Sequence, residues 1–266
     1  MSDPLAVIAQ LPGVPEAVEE AREAVDRLYR HRVLRRRSPE VSAESALRGA
    51  RASAALEGVD VPLGSLRSGE VEDPLVQGAL RVSAELGRLG ATWRTAPRQV
   101  LARLHTLAAT GTADPTHLGR PRVGPSADLE PVTVEDPLEL GEAPGPEETA
   151  VRMDALATLI TSGTKAPAVV TAAVVHAEIV ALRPFGVADG LVARAAERLT
   201  LTEFGLDPKS LAAVEVGHAE TSYGESVRAY LTGSREGVGL WLRHCASAVT
   251  LGVREAVAVC EAMQRG

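Results

Sequence analysis

The chain has 266 residues, a formal net charge of −7, 45% hydrophobic residues and only 3% aromatics. That length can bury a substantial core, and with so few aromatics the core must be built from Ala, Val and Leu, which favours close-packed helices over a β-sandwich. The negative charge argues against a whole-surface nucleic-acid binder, and the two cysteines, Cys245 and Cys260, have neither the CxxC spacing of a metal or redox site nor the density of a secreted scaffold.

The first thirteen residues, MSDPLAVIAQLPG, carry no basic segment and too short an apolar run for a signal peptide. No later stretch is a charge-free span of transmembrane length, because Arg183 interrupts the longest apolar run. The expectation is a cytoplasmic protein with free thiols and no membrane association.

Residues 15–37 read as a helix with acids first (Glu16, Glu19, Glu20, Glu23) and bases last, an order that complements the helix dipole. The basic run from Arg30 to Arg37 has no interleaved aromatics apart from Tyr29, so it reads as a solvated or carboxylate-paired helix end. Ser38 and Pro39 then start a second helix, rich in small residues and stopped at Gly58. Glu57 falls at its negative end and needs a compensating cation.

Residues 62–73 read as a loop, and 74–89 and 97–109 as two further helices. Residues 111–148 hold seven prolines and many acids, which allows at most short edge strands or a hairpin. A helix follows at 147–162. Residues 168–182 form a helix that is apolar on nearly every face, so it belongs at the centre of the fold. Pro184 ends it, Gly186 and Gly190 loosen the loop, and a helical pattern resumes at Leu191 and stops at Gly205. Helices over 208–219, 221–231 and 238–263 complete the chain. His105 and His176 read as hydrogen-bonded core residues, and Tyr223, Tyr230 and Trp241 as core bulk.

The loop between the two central helices reads Arg183-Pro184-Phe185-Gly186-Val187-Ala188-Asp189-Gly190-Leu191-Val192-Ala193-Arg194. It resembles the Fic (Fido) signature, His-Pro-Phe-x-(Asp/Glu)-(Gly/Ala)-Asn-(Gly/Lys)-Arg-x-x-Arg, matching at Pro184, Phe185, Ala188, Gly190 and Arg194. A second stretch, Ser53-Ala-Ala-Leu-Glu57-Gly58, resembles the family's inhibitory motif (Ser/Thr)-x-x-x-Glu-(Gly/Asn) and lies on the N-terminal side, as in one class of the family. The resemblance implies a mainly α-helical Fic/Fido-like domain with a central buried helix, N-terminal helices and, within 111–148, either a small β-hairpin flap or simply an ordered surface loop. It divides the chain into an N-terminal helical region, 1–110, and a Fic-like core, 111–266, packed as one unit.

Family members transfer AMP from ATP to a protein hydroxyl. The motif His acts as base, the acidic residue holds Mg²⁺, and the Asn and arginines hold phosphates. Here Arg183 replaces the His, and a guanidinium stays protonated. Val187 offers no oxygen to a cation, Asp189 puts a negative charge where the Asn would be, and Leu191 removes a phosphate clamp. No catalytic or metal-binding residue of the family survives. The resemblance leaves Arg183, Pro184, Phe185, Asp189, Gly190 and Arg194 as an anion or nucleotide pocket without Mg²⁺, and Ser53 and Glu57 as the regulatory partners of Arg194. For Arg183 the alternative is an ion pair with Asp189 or Glu57 in a collapsed pocket.

Two readings follow. One is a pseudoenzyme that binds a protein partner as a regulatory module; the other is a nucleotidyl- or phosphate-group transferase in which Arg183 stands in for the His. A small anionic ligand and a homodimer are compatible with both. A nucleic-acid adaptor acting through Arg30 to Arg37 is the weakest expectation.

Overall fold

The computed structural model describes residues 3–124 and 132–265. Among them are twelve α-helices and a short 3₁₀ turn at Pro115–His117, with no strand. The helices are α1 (Pro4–Ile8), α2 (Val14–Tyr29), α3 (Leu34–Leu56), α4 (Leu63–Ser68), α5 (Pro74–Trp93), α6 (Pro97–Ala109), α7 (Pro146–Ser162), α8 (Ala168–Leu182), α9 (Asp189–Glu203), α10 (Val214–Ala219), α11 (Tyr223–Leu231) and α12 (Arg235–Arg265). None is long and apolar enough to cross a membrane.

Helix α8 is the centre, as its composition requires. Every residue from Val169 to Leu182 is buried except Glu178, whose carboxylate meets Arg152 of α7 and the Tyr230 hydroxyl of α11. Helix α9 packs against α8, and α5 and α6 cover the other side of α9; α12 runs along α2, α10 and α11. One large apolar cluster draws on residues from Ala9 to Cys245, and a second gathers α2, the start of α3 and α12.

The small residues let helices approach closely. A Cβ on Gly217 of α10 would run into the backbone carbonyl of Ala248 on α12, and one on Gly78 of α5 into that of Ala108 on α6. Backbone cannot swing aside as a side-chain tip can, so Gly217→Ala is expected to destabilise the fold by about 1–3 kcal/mol. A shifted chemical-denaturation midpoint checks this; an unchanged midpoint would show that the two helices part freely.

Several sequence expectations need correction. The run 15–37 is two pieces, because α2 ends at Tyr29 and α3 begins at Leu34; α3 is broken at Arg37 (φ −122°, ψ 22°), just before Ser38 and Pro39. Residues 62–73 contain a helical turn, α4, which ends on Gly69 in left-handed geometry. Helix α5 outruns 74–89 by four residues because Gly90 lets Glu203 of α9 lie against it. Only Val214–Ala219 of 208–219 is helical, since Asp207 accepts from the Ala212 amide and holds the preceding residues as a loop. Of the two alternatives for 111–148, a β-hairpin or an ordered surface loop, the described residues show no hairpin; residues 125–131 lie outside them. Where 111–148 is described, it is irregular chain tied to the α8–α9 loop.

Candidate functional site

The α8–α9 loop is held in left-handed geometry at Arg183 (φ 44°), Gly186 (φ 85°) and Ala188 (φ 55°). The Asp189 carboxylate stabilises this shape by accepting from the Phe185 amide at 3.1 Å and the Gly186 amide at 2.7 Å. Burial pushes this carboxyl up to about 8 despite those two donors. Phe185 turns inward and stacks on His105 of α6, ring centres 4.2 Å apart, and His105 in turn accepts from the Gly119 amide. Both histidines expected to be core residues are therefore hydrogen-bonded there, His105 here and His176 below.

From outside, the loop is strapped by the irregular segment before α7. The Arg122 amide donates to the Pro184 carbonyl at 2.7 Å and the Glu135 amide to the Gly186 carbonyl at 2.7 Å. The Arg122 guanidinium donates to the carbonyls of Leu182, Arg183 and Pro144. Arg183 does not pair with Asp189 or Glu57. It donates to the Gly141 carbonyl at 2.7 Å and forms an ion pair with Asp136 at 3.2 Å, while its buried Nε–H has no partner among the described residues. The sequence could not show this, since Asp136 lies 47 positions away among many acids.

Glu57 and Arg194 meet as the motif resemblance implies. Arg194 Nη2 donates to the Glu57 carboxylate at 2.6 Å and to the Ser53 carbonyl at 3.0 Å, and Nε donates to the Ser53 hydroxyl at 2.7 Å. Only 1% of the Arg194 side chain and 8% of the Glu57 side chain are exposed. Gly190 makes the contact reachable, because a Cβ there would collide with the Glu57 carboxylate. Glu57 thus sits over the start of α9, where unpaired backbone amides favour negative charge. What remains between Glu57, Asp136, Arg183, Asp189 and Gly190 is a cleft of about 20 Å³. That is room for about one water, whereas ligand pockets run to about 300–1,000 Å³.

Behind Arg194 lies a buried polar chain that sequence reasoning missed. Tyr223, whose ring centre is 6.0 Å from the Arg194 guanidinium carbon, bonds His176 Nε2 at 2.8 Å. His176 Nδ1 and His218 Nε2 each lie 2.7 Å from one oxygen of Glu197, and His218 Nδ1 bonds His244 Nε2 at 2.9 Å. Its members come from α8, α9, α10, α11 and α12, with 21 to 47 positions between hydrogen-bonded partners, so no local spacing signals it. Burial holds His176 down at about 4 and His244 at about 3, so both are neutral near pH 7. The neighbouring histidines hold the Glu197 carboxyl well below the usual carboxylate range.

The ligand-type atoms of His176, Glu197 and His218 lie within 4.8 Å of one another, which raises the question of a metal. Their 2.7 Å separations are hydrogen-bond distances, shorter than the ~3.3 Å between ligands of a tetrahedral zinc. Neutral imidazoles satisfy the chain with one assignment: His176 and His218 donate to Glu197, Tyr223 donates to His176, and His244 donates to His218. In this arrangement the triad is a hydrogen-bonded core.

No family model matches the sequence, and no curated protein matches it significantly. Solved structures do match. A crystal structure of a Fic family protein from Desulfovibrio desulfuricans G20 superposes with a TM-score of 0.73 at 20% identity, over 93% of this chain and 75% of that one. A fragment of Fic-1 from C. elegans superposes with a TM-score of 0.68 at 18% identity, over 94% of this chain and 73% of that one. A variant of the same fragment gives 0.64. The chain therefore has the fold of the Fic family proteins.

Proposed function

We propose that this chain is a catalytically silent Fic-fold protein, a binding or regulatory module for a protein partner rather than an AMP transferase. The observation that carries this reading is the fate of Arg183. At the position of the family's base it is a buried cation, paired with Asp136 and tied to Gly141. A guanidinium cannot accept a proton, and loss of the base together with the metal-binding acid would each cost on the order of 10²-fold or more. Retention of the Glu57–Arg194 pair without that chemistry fits a structural clasp between α3 and α9.

The second reading, a nucleotidyl- or phosphate-group transferase with altered chemistry, draws on Asp189. Its carboxyl, lifted to about 8, holds a proton near neutral pH and lines the same cleft as Arg183. The proposed setting is the cytoplasm, with a protein partner, no Mg²⁺, and any anionic ligand bound through Arg183 and Arg194.

Self-labelling and target labelling with α-labelled ATP and Mg²⁺ separate the two. Wild type and Glu57→Gly are expected to stay silent. Label in either would overturn the pseudoenzyme reading and make Arg183 a working residue. Label confined to Arg183→His/Val187→Asp would support it, by showing that the two missing groups account for the silence.

A further inference from the structure

Between Arg27 and Glu40 the chain holds six arginines and one acid, in a protein of net charge −7. Arg27 and Arg37 are paired locally, with Glu23 and Glu40. Arg30, Arg32, Arg35 and Arg36 are exposed, and their side chains form no ion pair or hydrogen bond among the described residues. They stand outward on the α2–α3 turn because their neighbours face in: Leu28 and Leu34 are buried, and Tyr29 and Val33 pack on the same cluster. The turn is fixed by the His31 amide donating to the Leu28 carbonyl at 2.8 Å and the Arg37 amide to the Val33 carbonyl at 2.9 Å. The Arg35 amide donates to the Arg32 carbonyl at 3.3 Å, so a single turn of chain carries Arg32, Arg35 and Arg36. Like charges at this spacing repel, and no carboxylate offsets these three.

We propose that this turn is the surface through which the chain holds its protein partner, and that the partner presents a short segment rich in Asp and Glu. The proposal deepens the binding-module reading and rests on it. Each planar guanidinium offers a two-pronged edge to a carboxylate, and the fixed turn holds the four in place before the partner arrives. The limits of the patch select the occupant. Glu16, Glu19, Glu20 and Glu23 continue the same solvent face of α2 at steps of three and four, all exposed. A long polyanion or an anionic membrane plane laid over the arginines would meet these acids too, whereas a short segment would not.

Two further observations weigh the same way. Tyr29 is the aromatic at the patch; its hydroxyl already donates to Asp207 and the Lys209 ammonium lies 5.9 Å from its ring centre, so it is no free platform for a base. No large apolar side chain between Arg27 and Glu40 is exposed, which leaves nothing to insert into lipid. A second copy of this chain, setting the acidic half of its α2 on these arginines, would bury charge without the apolar core of a stable interface.

The experiment titrates a short peptide with four consecutive glutamates, and its glutamine counterpart, into the isotope-labelled full chain and follows backbone amide shifts. Shifts confined to residues 30–37 are expected with the glutamate peptide, with a Kd of about 1 mM at about 20 mM salt. Raising the salt to about 200 mM should weaken binding at least about fivefold. Arg32→Glu/Arg36→Glu should abolish it and Arg32→Gln/Arg36→Gln weaken it by about tenfold. Arg120→Glu/Arg235→Glu, the same charge change at two other exposed arginines, should leave it intact. Shifts elsewhere, equal shifts with the glutamine peptide, or unchanged binding in Arg32→Glu/Arg36→Glu would overturn the proposal. So would tighter binding of a short DNA duplex, or of phosphatidylcholine vesicles with about 30% phosphatidylserine, which would name nucleic acid or membrane as the occupant. A dimer that Arg32→Glu/Arg36→Glu dissolves would assign the turn to a second copy instead. Label incorporated from ATP would end the binding-module reading without moving these shifts, so the two failures are told apart.

Discussion

Arg194→Ala is expected to cost about 3–5 kcal/mol and to lower the melting midpoint by roughly 6–20 °C. The change removes a buried guanidinium and leaves the Glu57 carboxylate, 8% exposed, without its cation. The Ser53 carbonyl and hydroxyl lose their donors as well. Glu57→Ala is expected to cost less, because Arg194 keeps both Ser53 contacts. The double variant Glu57→Ala/Arg194→Ala removes both charges together, so it should be more stable than the sum of the single losses requires. Denaturant titration of the four proteins gives the coupling directly. Strict additivity would mean that Glu57 and Arg194 do not act as a pair in solution, and the clasp would fail as an account of α3 docking.

The second large effect is acid lability. His105, His176 and His244 are buried neutral, at about 4, about 4 and about 3 against an ordinary 6.5. Below pH 6.5 the unfolded chain binds those protons and the folded chain does not, so stability falls as pH drops from 6.5 toward 4. Asp189 works in the opposite sense. Its folded value is raised from 3.8 to about 8, so its contribution is fully present below pH 3.8 and is lost as pH rises through 8. Between pH 4 and 6.5 the three histidines outweigh the one carboxyl, leaving a net slope of about two protons from these groups.

Two variants test that balance. Asp189→Asn removes the opposing group and should steepen the acid limb toward about three protons. His176→Gln retains a donor for Glu197 and an acceptor for Tyr223 but cannot titrate, so it should flatten the limb. Stability measured by urea titration at pH 4.5, 5.5, 6.5 and 7.5 reads both. A limb that is unchanged in both variants would place the acid sensitivity elsewhere.

The fold was legible where the chain writes its structure locally. Helix α8 announces itself through 15 residues with three polar exceptions, and the Pro184, Gly186 and Gly190 punctuation marks the loop after it. Glu57 and Arg194 were legible through motif resemblance, and the C-terminal position of Glu57 on its helix gave a physical reason to expect a cation. The Arg183–Asp136 pair was not legible, because long-range partner choice among many acids is set by how the irregular segment lies over the loop. The Tyr223–His176–Glu197–His218–His244 chain was hidden for a related reason. Its members sit singly on five helices, and only the packing of α8, α9, α10, α11 and α12 brings them into one line.

The same packing argument explains the failed expectation at 208–219 and the loop alternative in the strap. Asp207 and Ser210 use their polar groups on neighbouring backbone and on Arg198, which competes with continuing a helix. In the strap, Arg122 and the Glu135 amide satisfy the α8–α9 loop's carbonyls without a hairpin among the described residues.

Calorimetric titration with ATP, with and without Mg²⁺, tests the central claim most directly: the cleft at the start of α9 is closed by Glu57 and by the Arg183–Asp136 strap. Wild type is predicted to give no binding heat at millimolar ATP, and Glu57→Gly to give weak binding at most, independent of Mg²⁺. Tight binding by wild type, or binding that requires Mg²⁺, would contradict the closed cleft and restore the nucleotide chemistry that the residues argue against.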